Sequence, residues 1–121
     1  MHIAQKDFYK KLLGRLGETQ AEKYLKKVGY KILEKNYKTN IGEIDIIAKE
    51  KEVIVFVEVK TRSSNNYGNP SQAVDKKKQK KYQKVAQEYL VKTGQMDKNC
   101  RFDVVEIENK KINLIKDAFW C

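Results

Sequence analysis

Three charged residues interrupt two apolar segments of this sequence, and their types and spacing could do chemistry. Asp45 breaks the segment 44–48, and Glu58 and Lys60 follow the five apolar residues 53–57. Carboxylate oxygens suit Mg²⁺ or Mn²⁺, which take few ligands from protein and keep room for water and phosphate oxygens. A lysine beside such an ion can position or activate the attacking water and offset phosphate charge. This combination of residues indicates metal-assisted hydrolysis of a phosphodiester.

The same three residues have a plainer interpretation as ion pairs on a solvated sheet face. One face of the segment 53–60 carries four valines, and the other begins with Ile54 and Phe56 before it reaches Glu58 and Lys60. A strand that is apolar on both faces is typical of the covered centre of a sheet. A carboxylate and an ammonium buried there are costly unless they are paired or ligated, which favours a site. The spacing alone leaves both interpretations open.

The elements that must position these residues form a mixed sheet flanked by helices. The charged turn 49–52 indicates that the second and third strands form an antiparallel hairpin, and 63–71, which holds the only proline, predicts a loop. The predicted order is helix 15–28, strands 30–38, 42–48 and 53–60, loop 63–71, helix 71–92, and strands 101–108 and 111–116. This order belongs to the α/β or α+β class. The 121 residues suffice for one domain, 1–121, with 1–13 as a loosely attached basic lead.

Two apolar stripes should attach the helices to the sheet. The stripe of the first helix consists of Leu16, Ala21, Tyr24, Leu25 and Val28. The stripe of the second helix consists of Tyr82, Val85, Ala86, Tyr89 and Leu90. Because side chains alternate along a strand, we expect Ile44 and Ile46 on one face of the second strand and Asp45 and Ile47 on the other.

The second predicted helix carries a one-sided concentration of positive charge. The chain has 26 Lys plus Arg against 16 Asp plus Glu, a formal net charge of +10, and its lysines crowd residues 76–84. The exposed face of this run is formed by Lys77, Lys80, Lys81 and Lys84. Lys78 lies four residues before Tyr82 and so closer to the core stripe. A solvated lysine face is the usual interpretation, but acidic residues only bracket the run, so it repels itself unless a polyanion relieves it. With Arg62, these lysines predict phosphate contacts that ignore sequence and weaken with salt.

Composition argues against several other classes of protein. His2 is the only histidine, which leaves no histidine-ligated zinc site and no Ser-His-Asp triad. Cys100 and Cys121 are too few and too badly placed for a disulfide scaffold or a paired-cysteine metal site. No apolar segment approaches the roughly 20 residues of a membrane-spanning helix, and the first residues lack the apolar region of a secretory signal. We therefore expect a cytoplasmic protein without a membrane partner.

Four ordered motifs between residues 14 and 119 resemble the YraN-like family of small bacterial proteins. These motifs are Gly14-Arg15-Leu16-Gly17-Glu18, Gly42-Glu43-Ile44-Asp45, Phe56-Val57-Glu58-Val59-Lys60-Thr61-Arg62 and Arg101-Phe102-Asp103-Val104-Val105. The family is assigned to the PD-(D/E)XK nuclease superfamily and is similar to Holliday-junction resolvases. The resemblance implies a restriction-endonuclease-like α/β fold, a mixed central sheet flanked by helices. Ile44 stands where the superfamily motif has proline, a frequent variation in such nucleases.

The resemblance also implies roles for individual residues. It assigns Asp45 and Glu58 to the metal and makes Lys60 the catalytic lysine. Glu18 resembles an additional acidic ligand of resolvase-like members, and Gln72 corresponds to a polar site residue in some relatives. Without the family, Glu18 is equally well interpreted as an exposed first-turn residue favoured by the helix dipole.

Three functions are compatible with the sequence. The first is a metal-dependent nuclease that uses Mg²⁺ or Mn²⁺, held by Asp45, Glu58 and Glu18, to cut DNA, above all branched or flapped DNA. The second is a non-catalytic nucleic-acid-binding module on a nuclease fold. The third is an RNA- or ribosome-associated structural protein, which only the net charge favours. We expect DNA rather than RNA as the partner, and cutting a symmetric junction would require a homodimer.

Overall fold

The computed structural model describes residues 5–62 and 75–119, without the side chains of residues 5–11 and 13. Its elements are α1 (Gln5–Lys27), β1 (Lys31–Lys38), β2 (Glu43–Glu50), β3 (Val53–Arg62), α2 (Lys76–Lys92), β4 (Cys100–Glu108) and β5 (Lys111–Phe119). The predicted order of helices and strands is confirmed. The predicted loop 63–71 and Gln72 lie outside the described residues.

The five strands form one sheet in the order β1-β2-β3-β4-β5. β2 and β3 pair antiparallel from Glu50–Val53 to Ile46–Val57, as the charged turn predicted. β3 and β4 pair parallel, and α2 lies between them in the chain, so the sheet is mixed and β3 is its central strand. The α/β class and the covered position of β3 are therefore confirmed.

Each face of the sheet carries its own hydrophobic core. The core on the α2 face includes Phe56 and Phe102 together with the whole predicted stripe of that helix. The core on the α1 face includes Val55, Val57 and Val105. β3 contributes to both because its side chains alternate between the two faces.

The predicted stripe of α1 is partly wrong. Ala21 and Leu25 are fully buried, but Leu16 and Val28 are 53% and 41% exposed. Gly17 is buried instead, and a methyl group at this position would overlap the Thr61 hydroxyl on β3. The contact line of α1 thus follows residues four apart on the side where the helix backbone comes closest to the sheet. The helix also begins at Gln5 rather than at residue 15.

The alternation of β2 breaks at Asp45, which corrects the predicted faces of this strand. Ile44 packs in the core under α2, whereas Ile46 packs in the core under α1. On the neighbouring strand β1, Asn36 lies between the paired residues that face Ile44 and Ile46, and its φ of 51° is in the left-handed region. A residue in that conformation interrupts the alternation of its strand, so the residues before and after it face opposite sides of the sheet. Their paired partners on β2, Ile46 and Ile44, do the same.

The motif 101–105 builds a buried polar network away from the charged residues of β3. Asp103 is fully buried and accepts hydrogen bonds from the Tyr30 hydroxyl at 2.7 Å and from Arg101 Nε at 3.0 Å. Arg101 Nη2 also donates to Glu50 Oε1 at 2.6 Å. The network ties Tyr30, which lies between α1 and β1, to β2 and β4, and this gives the motif a structural role.

Candidate active site

Four of the predicted site residues line a single cleft. Glu18 from α1, Asp45 from β2, and Glu58 and Lys60 from β3 face a cavity of about 400 Å³. The cleft lies beyond the last described β2–β3 pair, Ile46–Val57, where the two strands stop pairing. The predicted convergence of two carboxylates and an amine from neighbouring strands is thus present in the structure.

Asp45 takes the place of a backbone ladder bond between the two strands. Its Oδ2 accepts the N–H of Val59 at 2.8 Å, which fixes the carboxylate at the mouth of the cleft. Burial, followed by the negative charge of Glu58, raises the pKa of Asp45 to about 7, against the stabilising N–H of Val59. The carboxylates of Glu18 and Glu43 act in the same direction as Glu58. Asp45 is therefore an acid whose ionised form has little compensation from the protein.

Glu58 has the opposite surroundings, because donors contact both of its oxygens. Lys60 Nζ and Lys78 Nζ each lie 3.4 Å from Oε1, and the Tyr82 hydroxyl donates to Oε2. The Glu58 side chain is only 10% exposed. Tyr82 was predicted as a core residue, which is correct for its ring, but its contact with Glu58 was not predicted. A tyrosine where phenylalanine would fill the same core volume is the one signal that the sequence offers.

The two lysines beside Glu58 differ in their electrostatics. Burial and the neighbouring Lys78 lower the pKa of Lys60, and they outweigh the attraction of Glu58. Burial opposes the charged form of Lys78 as well, but the attraction of Glu58, together with hydrogen bonding to Lys60 and Glu58, outweighs it and raises the pKa of Lys78. Lys78 is thus the positively charged partner of Glu58, whereas Lys60 loses its proton more readily than an ordinary lysine.

Glu18 reaches the cleft from the middle of α1. Because this helix begins at Gln5, the interpretation of Glu18 as an exposed first-turn residue is wrong; it is partly buried. Burial, followed by the charge of Glu43, raises its pKa, while hydrogen bonding to Asp45 and Asn36 lowers it. In the amide orientation that satisfies its hydrogen bonds, Asn36 donates to Glu18 Oε1 at 3.0 Å. Asn36 was not predicted, because nothing in its sequence context marks a left-handed residue in a strand.

The donor set fits a hard divalent cation that keeps most of its water. Such ions are held in proteins by one or two carboxylates, and Asp45 and Glu58 contribute two to the lining of one cleft. After burial, the charge of Glu58 is the main cause of the raised pKa of Asp45, and a bound cation would relieve this repulsion between the two carboxylates. Within residues 5–62 and 75–119, no three Asp, Glu, His or Cys side chains are gathered closely enough to hold an ion together. Glu18 lines the cleft, and its role as a third ligand stays a prediction.

The basic residues fall into two groups. Lys78 contacts Glu58, as described above. The four lysines predicted to form the exposed face of α2, Lys77, Lys80, Lys81 and Lys84, are all exposed, as are Lys76 and Lys92 at the two ends of the helix. Asp75 caps this helix by accepting the N–H of Lys78 at 2.8 Å, which satisfies a backbone donor in the first turn. Arg62 ends β3 partly buried and is not among the residues that line the cleft.

A five-stranded mixed sheet with two helices is an α/β fold consistent with the nuclease-like fold that the sequence predicted. Residues 17–107 match UPF0102, described as an uncharacterised protein family, and the chain belongs to this family, the YraN-like group. No helix among the described residues is long and apolar enough to cross a membrane.

Three relatives, each named a UPF0102 protein, show the extent of the similarity. The relative from Alkaliphilus oremlandii is 53% identical over 115 residues, which cover 90% of this chain and 98% of the relative. The relative from Clostridium botulinum strain Kyoto is 48% identical and covers 98% of both chains. The relative from Caldanaerobacter subterraneus is 50% identical and covers 91% of this chain and 96% of its own. The similarity thus extends over nearly the whole chain.

Proposed function

We propose that this protein is a metal-dependent nuclease that hydrolyses phosphodiester bonds of DNA. The observation that carries the proposal is the cleft that Asp45, Glu58 and Lys60 line together. Mg²⁺ or Mn²⁺ would be held by these two carboxylates, with Glu18 lining the same cleft. The chemistry that such an ion supplies is activation of water and relief of charge on the phosphate.

The side chains around the cleft would perform the remaining tasks. Val59 holds the Asp45 carboxylate in place through its backbone N–H, and Tyr82 holds the Glu58 carboxylate through its side-chain hydroxyl. Burial lowers the pKa of Lys60. The Lys60 side chain would orient the attacking water beside the scissile phosphate by hydrogen bonding to it. The exposed lysine face of α2 would position the DNA backbone without selecting a sequence.

Cleavage of labelled DNA tests this proposal. Branched, flapped, duplex and single-stranded substrates are incubated with the protein and Mn²⁺, and we expect cleavage that EDTA abolishes. Asp45→Asn should lose at least about a hundredfold in rate, as expected when a residue at the reacting centre is removed. Glu52→Gln is the matched control, because this substitution makes the same change of acid to amide at a side chain that is 81% exposed in the β2–β3 turn. Equal cleavage by the wild type and Asp45→Asn would contradict the proposal.

The alternative is a non-catalytic DNA-binding module, and the donors around Glu58 are the observation that favours it. Two ammonium groups and a phenol already satisfy this carboxylate without a metal. In that case no substrate is cut, and Asp45→Asn binds DNA as the wild type does. A preference for RNA in the same binding assay would instead favour the RNA-associated function.

We further propose that the protein acts in the cytoplasm and that two copies cooperate on branched DNA. A single cleft can cut one strand at a time, whereas a symmetric junction offers two equivalent strands. Sedimentation of the protein with and without a four-way junction tests this directly. A complex of one chain per junction that still makes paired cuts would contradict it.

A further inference from the structure

The contacts of Glu58 conflict with its proposed role as a metal ligand. Its Oε1 is approached by Lys60 and Lys78, each at 3.4 Å, and its Oε2 accepts the Tyr82 hydroxyl. The two ammonium groups beside Glu58 repel a divalent cation that approaches its carboxylate. Metal binding in this cleft is therefore strengthened when one of these two groups leaves.

Lys78 is the donor best placed to leave. Tyr82 is buried, and its ring stacks with Phe102 and Phe119, which leaves the hydroxyl little freedom. The Lys60 side chain is 23% exposed, while that of Lys78 is 39% exposed. Lys78 also stands in the first turn of α2, the helix whose exposed lysines would receive the DNA backbone. It has both a route to solvent and an alternative partner.

We propose that Lys78 pairs with Glu58 in the free protein and with a phosphate of the nucleic acid in the complex. The inference rests on the proposed function and adds a regulatory property to it. A phosphate that draws Lys78 away removes one of the two ammonium groups beside Oε1 of Glu58 and so lowers the repulsion that a cation meets there. DNA binding then strengthens metal binding, and by linkage the metal strengthens DNA binding by the same factor. The site would thus be completed for hydrolysis only when the substrate is present.

Mn²⁺ affinity with and without DNA tests the inference without relying on activity. Free Mn²⁺ is measured by electron paramagnetic resonance, and a branched duplex with phosphorothioate linkages serves as a DNA that resists cleavage. Asp45→Asn with the same DNA subtracts the ions that the DNA itself binds. For the wild type we expect the duplex to raise Mn²⁺ affinity by about five- to fiftyfold, which lies within the usual range of coupling between sites.

Substitutions at Lys78 separate this role from a structural one. Lys78→Met should bind Mn²⁺ about fivefold more tightly than the wild type in the absence of DNA, and DNA should add less than about twofold. Lys78→Arg keeps the charge and should keep the coupling. Lys23→Met is the matched control, because Lys23 is an exposed helical lysine on α1, outside the lysine face of α2, and it should behave as the wild type. Thermal unfolding of each variant confirms that it is folded.

The outcomes distinguish the inference from the proposed function. If Mn²⁺ binds through Asp45 but DNA leaves its affinity unchanged, the inference is wrong and the metal site stands. If Lys78→Met retains the coupling of the wild type, Lys78 is not the exchanging group, and the inference is again wrong. If no Mn²⁺ binding depends on Asp45, the proposed function fails and the inference fails with it.

Discussion

Replacing Asp45 by asparagine should stabilise the metal-free protein while abolishing its proposed activity. Asparagine keeps the shape of this side chain, and its oxygen can still accept the N–H of Val59, which lies 2.8 Å from Oδ2. What is lost is a negative charge that burial and the carboxylates of Glu58 and Glu18 disfavour. A site that holds mutually repelling acids for a cation should become more stable when one of them is neutralised.

The sign and the size of this effect follow from the raised pKa of Asp45, about 7 against an ordinary 3.8. Between these pH values the folded protein keeps a proton that the unfolded chain has lost, so the stability of the wild type declines as the pH rises through this window. The interval from 3.8 to about 7 corresponds to about 4 kcal/mol at most, since each pH unit is worth about 1.4 kcal/mol. Water in the open cleft reduces this, and we expect a gain of about 1 to 3 kcal/mol at pH 8.

Urea unfolding in the presence of EDTA measures the difference. At pH 8, Asp45→Asn should be more stable than the wild type, and near pH 4 the two proteins should be equally stable. Glu52→Gln, the exposed control, should follow the wild type at both pH values. An Asp45→Asn protein that is less stable than the wild type at pH 8, or a difference that does not change with pH, would refute this reasoning.

Three further predictions concern the helix, the polar network and the basic surface. Gly17→Ala should lower the free energy of unfolding by about 1 to 3 kcal/mol, because its methyl group overlaps the Thr61 hydroxyl. Gly14→Ala, which meets only open space, should be neutral or stabilising by up to about 1 kcal/mol in the same urea assay. Although burial acts the other way, hydrogen bonds from Arg101 and a lysine lower the pKa of Glu50 below 4.5. The stabilising charge of Glu50 is therefore fully present above its ordinary pKa and lost as the pH falls through the lowered one, so Glu50→Gln should be less stable than the wild type at pH 7, and this difference should shrink as the pH falls below 4.5. DNA affinity measured by fluorescence anisotropy should fall about a hundredfold between about 50 and 200 mM salt if about four phosphates are contacted, and a salt-independent affinity would contradict the proposed interface.

The sequence predicted the fold well because the sheet follows simple patterns. The residues 53–57 are apolar on both faces, so β3 could only lie at the covered centre of a sheet, and the charged turn before it required a hairpin. The apolar stripe of α2 was predicted in full, because its apolar and aromatic residues are spaced to face the sheet. These features depend on periodicity, which a single sequence displays directly.

The features that were missed depend on local backbone geometry and on individual atoms. The left-handed conformation of Asn36 and the reversal of alternation at Asp45 are not visible in a pattern of apolar and polar residues. Gly17 rather than Leu16 makes the contact of α1, because the missing side chain lets the helix come close to Thr61 on β3. The hydroxyl of Tyr82 was missed because the pattern recognises only the apolar ring.

Anomalous X-ray diffraction from crystals soaked in Mn²⁺ tests the central claim most directly. We expect one strong peak in the cleft, within coordination distance of Asp45 and Glu58, and no such peak in crystals of Asp45→Asn. If crystals at saturating Mn²⁺ show no peak in the cleft, while Glu58 keeps its contacts with Lys78 and Tyr82, the claim that these two carboxylates form a metal centre is contradicted.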